Sequence, residues 1–351
     1  MHCMAKKNIL DYNSEELNEL LKAHGYPSYR SKQVFKWVQR GVDSFEEMTN
    51  VPKDLRAFID MHYHSGMPKK VRIRESKLDA TKKYLFELSD GAVIETVLLV
   101  YSYGNTVCIS SQVGCRMGCR FCASAQGGLV RDLSPGEMLG QVVAVQRDIG
   151  ERISNIVIMG SGEPLDNYRN LITFLHLVNS KEGLNIGLRH VTVSTCGLVR
   201  EIEKLAEEGL PVTLSVSLHA GDDETRKNLM PVARKYKIKE VIAACKKYAE
   251  KTGRRITFEY SLIDGVNDSD RDAGKVAELL AGVPCHVNLI PLNPIAEYGY
   301  SQSNRDRIMR FKGIVEKHGI PVTVRRELGR DLNGACGQLR ASYISEKRPK
   351  Q

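Results

Sequence analysis

The chain lacks any apolar run approaching the roughly 18 residues that a membrane-spanning helix requires. Asp11, Glu15 and Glu16 interrupt the N-terminal stretch where the apolar segment of a secretory leader would have to lie. A cytoplasmic protein without membrane contact is therefore expected. Tryptophan is scarce: Trp37 is the only one, and its setting in an amphipathic stretch reads as packing rather than as a base-stacking platform. Histidine is absent between His64 and His176, so no imidazole ligand for zinc is available in that interval. Composition is otherwise ordinary, 42% hydrophobic and 26% charged, which excludes wholesale disorder.

Positive charge is in excess, with 51 Lys and Arg against 42 Asp and Glu for a formal net charge of +9. Such a balance favours a polyanionic partner, most often nucleic acid. Lys69, Lys70, Arg72, Arg74, Lys77, Lys82 and Lys83 form a basic run that suits either a solvated strand face or an RNA-facing strip. Nine cysteines in a reducing compartment argue against a disulfide framework and favour metal or redox chemistry for any tight cluster.

The 351 residues are enough for about two domains, or for one large barrel with an appendage. Residues 1–65 read as a helical accessory domain and candidate RNA contact, with amphipathic stretches opening at Ser14 and running from Tyr29 to Arg40. Residues 66–104 read as a basic linker and a β-hairpin, Lys83–Leu88 and Val93–Val100 flanking Asp90-Gly91. Strand and helix then alternate. Strands are expected over Thr106–Ser110, Asn155–Met159, His190–Ser194, Val212–Leu218, Ile256–Leu262 and His286–Pro291, with Val322–Arg326 as a late extra. Helices are expected over Pro135–Ile149, Tyr168–Val178, Val199–Glu208, Ile238–Lys251, Asp270–Leu280 and Arg305–Lys317. The first carries a capping box, Ser134 at N-cap, Pro135 at N1 and Glu137 at N3. This is the pattern of an α/β protein with a parallel sheet. About six units are too few for a closed eight-stranded barrel, leaving a partial barrel over residues 105–295 or an open doubly wound sheet. Residues 296–351 form a C-terminal helix-strand extension. In either architecture the working site lies beyond the carboxyl ends of the strands.

Chemistry-bearing residues fall at those ends. Cys115, Cys119 and Cys122 follow the first barrel strand, and three thiolates from one loop can converge on one inorganic centre. Structural zinc wants four ligands, and no fourth cysteine follows closely. Iron–sulfur clusters usually take four cysteines, so three imply one open iron. Gly160-Ser161-Gly162-Glu163-Pro164 ends the second strand, with glycines for close backbone approach and a carboxylate suited to an ammonium group. Ser194 ends the third strand, Ser217-Leu218-His219 the fourth, and Asn293 follows the sixth. Cys3, Cys196, Cys245 and Cys285 are expected to be structural or incidental, Cys196 least securely because it follows Ser194-Thr195. Cys336 sits in the glycine-flanked segment Asn333–Leu339, unsuited to core burial, and is a catalytic candidate.

The cysteine loop after the first strand resembles that of the radical S-adenosylmethionine (SAM) superfamily. Together with Met-Gly-Ser-Gly-Glu163-Pro-Leu, Ser217-Leu-His-Ala and Ala-Cys336-Gly-Gln-Leu, it makes nearly the whole chain resemble the RlmN and Cfr families, methylases of adenine ring carbons in RNA. Departures are small: Asn333-Gly334 stands where an acidic residue and alanine are common, and Ser161 where methionine often appears. The resemblance selects a partial (β/α)6 radical SAM barrel with a helical accessory domain and a β-hairpin extension. It implies one 4Fe-4S cluster on Cys115, Cys119 and Cys122, and SAM contacts from Gly162, Glu163, Ser194, Ser217, Leu218, His219 and Asn293.

It also implies a relay through covalent catalysis using two SAM per turnover. One SAM methylates Cys336; the second yields a radical that takes hydrogen from the S-methyl group, which then adds to the adenine. Cys108 attacks the Cys336 sulfur to release the product, leaving a transient Cys108–Cys336 disulfide. Glu95 is the base that takes the ring proton, although without the resemblance it reads as an outward-facing strand carboxylate. The expected partners are 23S rRNA, tRNA anticodon loops and a low-potential electron donor such as flavodoxin, acting on a monomer. Carbon 2 of adenosine is the expected target, as in RlmN, the wording around Ser217 and Leu289–Pro294 lying closer to that family. Carbon 8, as in Cfr, is the alternative. A radical SAM enzyme of another class and a non-catalytic Fe–S RNA-binding protein are more distant readings.

Overall fold

The computed structural model describes residues 6–293, 298–332 and 338–347. A short strand β1 (Lys7–Asn8) precedes α1 (Ser14–Ala23), α2 (Ser28–Arg40) and α3 (Lys53–His62), and pairs in parallel with β2 (Tyr63–His64). Asn13 caps α1 by accepting the Glu15 and Glu16 amides, while Glu16 accepts the Asn13 N–H. Trp37 packs against the core and donates its indole N–H to Asn50, a packing residue as its sequence setting indicates.

The remaining strands are β3 (Lys69–Glu75), β4 (Lys82–Glu87), β5 (Val93–Tyr101), β6 (Gly104–Cys108), β7 (Gln112–Gly114), β8 (Leu129–Asp132), β9 (Ile153–Ile158), β10 (Val191–Thr195), β11 (Thr213–Ser217), β12 (Ile256–Leu262), β13 (Cys285–Pro291) and β14 (Val322–Val324). Helices α4 (Pro135–Ile149), α5 (Tyr168–Asn179), α6 (Val199–Glu207), α7 (Asp223–Leu229), α8 (Ile238–Thr252), α9 (Asp270–Leu280), α10 (Arg305–Lys317) and α11 (Gln338–Lys347) complete the chain. Ten strands form one sheet in the order β14-β13-β12-β11-β10-β9-β6-β5-β4-β3. From β6 through β14 the neighbours are parallel and follow chain order. A doubly wound sheet would reverse that order partway. The partial barrel is therefore the architecture, extended on one side by the antiparallel strands β5, β4 and β3.

The expected hairpin is present, with Gly91 at φ +82° in its turn, but it is the middle of this extension. The basic run forms the edge strand β3 and the start of β4. Part of its charge is held in ion pairs: Lys70 with Asp148, Arg72 with Glu346 on α11, and Lys82 with Glu75. Charged residues on an edge strand also block pairing with another sheet.

One apolar core runs from Ile9 to Val322, so the N-terminal helices share it with the barrel. Their junction is a backbone contact on α4. A Cβ at Gly136 would lie 2.7 Å from the Asp11 nitrogen and the Leu10 carbonyl carbon, and one at Gly140 would lie 2.7 Å from the Gly66 oxygen. Asp11 accepts the Gly136 N–H across this contact. Among the described residues no helix is long and apolar enough to cross a membrane.

Gln141 ties α4 to the strand exits. Fully buried, its amide oxygen accepts the Ser110 N–H and the Thr96 hydroxyl, and its nitrogen donates to the Ser110 carbonyl. Replacing it with leucine strands three buried polar groups, each costing about 1–3 kcal/mol. Gln141→Leu is expected to lower the urea midpoint of unfolding strongly with an unchanged slope.

Candidate active site

Because the barrel strands are parallel, their carboxyl ends meet on one side. There Cys108, Cys122, Ser194, Ser217, His219 and Asn293 line a single cavity of about 290 Å³. Cys108 ends β6, 4% exposed, against Val97, Leu99 and Met159. The opposite wall comes from the antiparallel extension through Lys83 and Tyr101, and the rim from Arg325, Arg326 and Arg330. These rim residues lie on a strap after β14. Asp331 accepts from the Ser76 hydroxyl and the Lys77 amide, and Asp79 accepts the Gly329 N–H, so the strap is bound across to the β3–β4 turn.

The cysteine loop does not follow β6 directly. The two-stranded β7–β8 unit intervenes and closes the loop at its base. Gly114 stands at φ +82°, where a Cβ would lie 2.0 Å from the Gly128 oxygen, so only glycine fits before Cys115. Burial pushes the Cys115 thiol up to about 12 and the Cys119 thiol higher still, and the neighbouring thiols and Glu163 add to both. Such thiols ionise only beside a positively charged inorganic group. The Cys115, Cys119 and Cys122 thiols lie close enough for their charges to act on one another, and Cys122 faces the cavity, so this all-sulfur donor set suits an iron–sulfur cluster.

The remaining expected SAM contacts, Gly162, Glu163 and Leu218, are not on the cavity wall. A Cβ on Gly160 would lie 2.7 Å from the Ile109 oxygen, and one on Gly162 would lie 2.6 Å from the Gln112 Cβ. The close approach these glycines allow is to the chain leaving β6. Glu163 is 3% exposed and accepts the Leu165 and Cys196 amides. Burial pushes its pKa up against those hydrogen bonds. Cys196 is buried beside it, and Cys245 and Cys285 are core residues, as expected.

His219 is better defined than sequence reading could make it. It holds φ +55°, its carbonyl accepts from Asn267, and its Nδ1 accepts the Ser261 N–H at 2.9 Å. The neutral ring then carries its proton on Nε2. Its edge meets Phe121 of the cysteine loop at 4.6 Å between centroids. Two residues escaped sequence reading. Glu259 lines the cavity and binds the Ser215 hydroxyl and the Asn288 amide, forming a polar layer across β11, β12 and β13. Arg226, fully buried on α7, donates to the Leu218, Cys196 and Ser217 carbonyls, with Nη1 unpaired. Neither carries a local signal of burial: Glu259 alternates with Thr257 and Ser261, and Arg226 lies in a charged run.

Glu95 is not outward-facing. It is 4% exposed on β5, and its Oε1 accepts the Arg340 N–H at 2.6 Å, capping the first turn of α11. It does not line the cavity. Cys336, like Cys3, lies outside the described residues; Gln338, two residues on, opens α11.

Comparison with known proteins agrees with this geometry. The model of the radical SAM superfamily matches residues 109–275, and that of the ribosomal RNA large subunit methyltransferase N-terminal domain matches residues 7–63. The chain is 52% identical to a probable dual-specificity RNA methyltransferase RlmN of Clostridium acetobutylicum, over 98% of this chain and 100% of that protein. It is 54% identical to a protein of the same description from Lachnoclostridium phytofermentans, over 97% and 96%. A radical SAM methyltransferase from Sphaerobacter thermophilus has a crystal structure that superposes with a TM-score of 0.91, at 46% identity, covering 95% of this chain and 98% of that one.

Burial, with the Arg226 charge, pushes the His219 pKa down to about 3. An unfolded histidine titrates near 6.5, so below that pH the unfolded chain binds a proton that the folded chain refuses. This contribution to stability is flat above pH ~6.5 and is lost as pH falls toward 3. His219→Asn keeps an acceptor for Ser261 and tolerates positive φ. Between pH 7 and 5 the parent is expected to lose roughly 2 kcal/mol more stability than the variant in urea titrations.

Proposed function

The chain belongs to the RlmN family of radical SAM RNA methyltransferases, and on that premise we propose that it methylates carbon 2 of adenosine in 23S rRNA and in tRNA anticodon loops. The observation that supports this reading is that Cys108, assigned here as the product-releasing thiol, lines the same cavity as Cys122 of the cysteine loop. Cys115, Cys119 and Cys122 would hold the 4Fe-4S cluster, and Ser194, Ser217, His219 and Asn293 are placed to hold SAM, with Gly162, Glu163 and Leu218 framing the strand ends behind them. When bound, these groups supply the methyl donor and the one-electron activation, two SAM per turnover, with the electron drawn from a low-potential donor such as flavodoxin.

In this scheme Cys336 carries the methyl group as a thioether; that carbon would lose one hydrogen atom to the radical that SAM supplies and bond to carbon 2, and the odd electron left on the ring would pass back to the cluster's one-electron chemistry. The proton of carbon 2 is assigned to Glu95, which stands off the cavity lining with its Oε1 held by the Arg340 N–H and must be reached through that wall once the base is seated. The Cys108 thiolate then attacks the Cys336 sulfur. A sulfur–sulfur bond forms as the sulfur–carbon bond breaks, the electron pair leaves with carbon, and protonation completes the new methyl group. Two electrons from a reductant return both thiols. Cys108 lies in a largely apolar pocket at the strand end, so it is kept from bulk solvent until the adduct forms. The enzyme works in the cytoplasm as a monomer, RNA being held through its phosphates with the target base unstacked into the cavity.

Anaerobic reconstitution with SAM, reductant and unmodified RNA, followed by mass spectrometry of digested nucleosides, tests the reading. The expected product is 2-methyladenosine, absent in Cys336→Ala, with Cys108→Ala accumulating a covalent RNA–protein adduct on denaturing gels. An 8-methyladenosine product would move the target atom, and SAM cleavage without either product would reject the substrate.

The basic strip gives a second test. Lys70 and Arg72 already answer Asp148 and Glu346, so Lys69 and Arg74 are its better-placed phosphate contacts. Lys69→Glu with Arg74→Glu is expected to weaken RNA binding about 10-fold or more at low salt and to reduce the salt dependence of the binding constant. Unchanged affinity would remove the strip from the interface.

A further inference from the structure

The β5–β6 hairpin tip carries two aromatic rings with no part in the chemistry above. Tyr101 and Tyr103 are stacked, with centroids 4.9 Å apart and planes 8° from parallel. They differ in setting: Tyr101 is half-buried and lines the cavity, while Tyr103 is 70% exposed. The stack therefore begins at the cavity wall and ends in solvent. Its position is fixed by the tight turn closed by the Tyr101–Gly104 pair, where a Cβ on Gly104 would lie 2.6 Å from the Ser154 hydroxyl oxygen. Arg325 and Arg326 on the strap lie close enough for their charges to act on the Tyr101 phenol, as does Cys108. Arg326 and Arg330 are exposed at the same rim.

A base drawn into the cavity must leave its stack, and that exposes a face of the base next to it. An aromatic platform just outside restores the lost stacking, and cations beside it match the phosphates. The geometry points to Tyr103, backed by Tyr101, as the stacking platform for the nucleotide that flanks the target adenosine, with Arg326 and Arg330 on the adjoining phosphates. This assignment rests on the RNA methylation reading above. It makes the hairpin tip a nucleotide-binding site, sequence-tolerant because every base presents a π-face.

The test uses the full-length, anaerobically reconstituted protein and an anticodon stem–loop RNA with 2-aminopurine on either side of the target adenosine. The parent is expected to quench one of the two probes on binding. Tyr103→Ala should lose that quenching and weaken affinity roughly 5- to 150-fold with an unchanged salt dependence. Tyr103→Phe should keep both, because the ring and not the hydroxyl does the stacking. Tyr103 being exposed, neither variant disturbs the core. Equal affinity and quenching in parent and Tyr103→Ala, with the parent still methylating the unlabelled stem–loop, would overturn the platform alone. A parent that neither binds nor methylates this RNA would overturn the RNA reading and the platform together.

Discussion

The buried guanidinium of Arg226 is the constraint on which the site depends. A cation removed from water costs several kcal/mol unless its surroundings answer it. Here the answers are backbone carbonyls at the ends of two strands, Cys196 just after β10, Ser217 ending β11 and Leu218 just beyond it. Gly197 leaves room for the fork, a Cβ there falling 3.0 Å from Nη2. The same short helix accepts the Arg120 N–H at Leu229, so one element fixes two strand ends and the cysteine loop together. The charge also opposes the burial cost of ionising Cys119 and Cys196. His219 inherits its place from this arrangement, and so does the Phe121 edge that meets it.

The cavity is a composite of parts with different origins. Barrel strands supply the thiol of Cys108 and the polar groups from Ser194 to Asn293. The antiparallel extension supplies the far wall, and the strap supplies the cationic rim. The strap is held by carboxylates toward its far end, with Asp79 accepting the Gly329 N–H and Asp331 accepting the Lys77 N–H and the Ser76 hydroxyl. Position is thus set by hydrogen bonds, while Arg326 and Arg330 stay exposed, Arg330 within 3.8 Å of the Glu327 carboxylate.

Local pattern carried the barrel well. Capping residues and apolar periodicity place α4 over Pro135–Ile149, α9 over Asp270–Leu280 and α10 over Arg305–Lys317, and β12 over Ile256–Leu262, with the same bounds in the structure. These elements have strong signals because their caps and apolar runs are local to the segment. Illegible were the features whose meaning is tertiary. Arg226 lies in a run of charged residues that reads as a solvated helix, and only the fold shows that α7 turns it inward. Glu259 alternates in a strand as a surface residue would, yet the inner face of a partial barrel can take a polar layer. Glu95 looks equally exposed, because nothing in β5 announces that α11 will cover it 245 residues later. The Gly160–Gly162 turn was legible as a place of close approach, but not as an approach to the chain's own backbone.

The contact on α4 bears on how such a chain can change over generations. Residues 7–63 and 109–275 match separate family models and so look like interchangeable modules. Yet at their seam main chain approaches Gly136 and Gly140 closely, and a Cβ there would also meet the Asn8 amide and the Pro68 ring, which leaves little room to repack around a foreign surface. A graft of either half onto an unrelated partner would need both glycines and the matching segments 8–11 and 66–68 at once. The two halves are expected to diverge together, as one heritable unit.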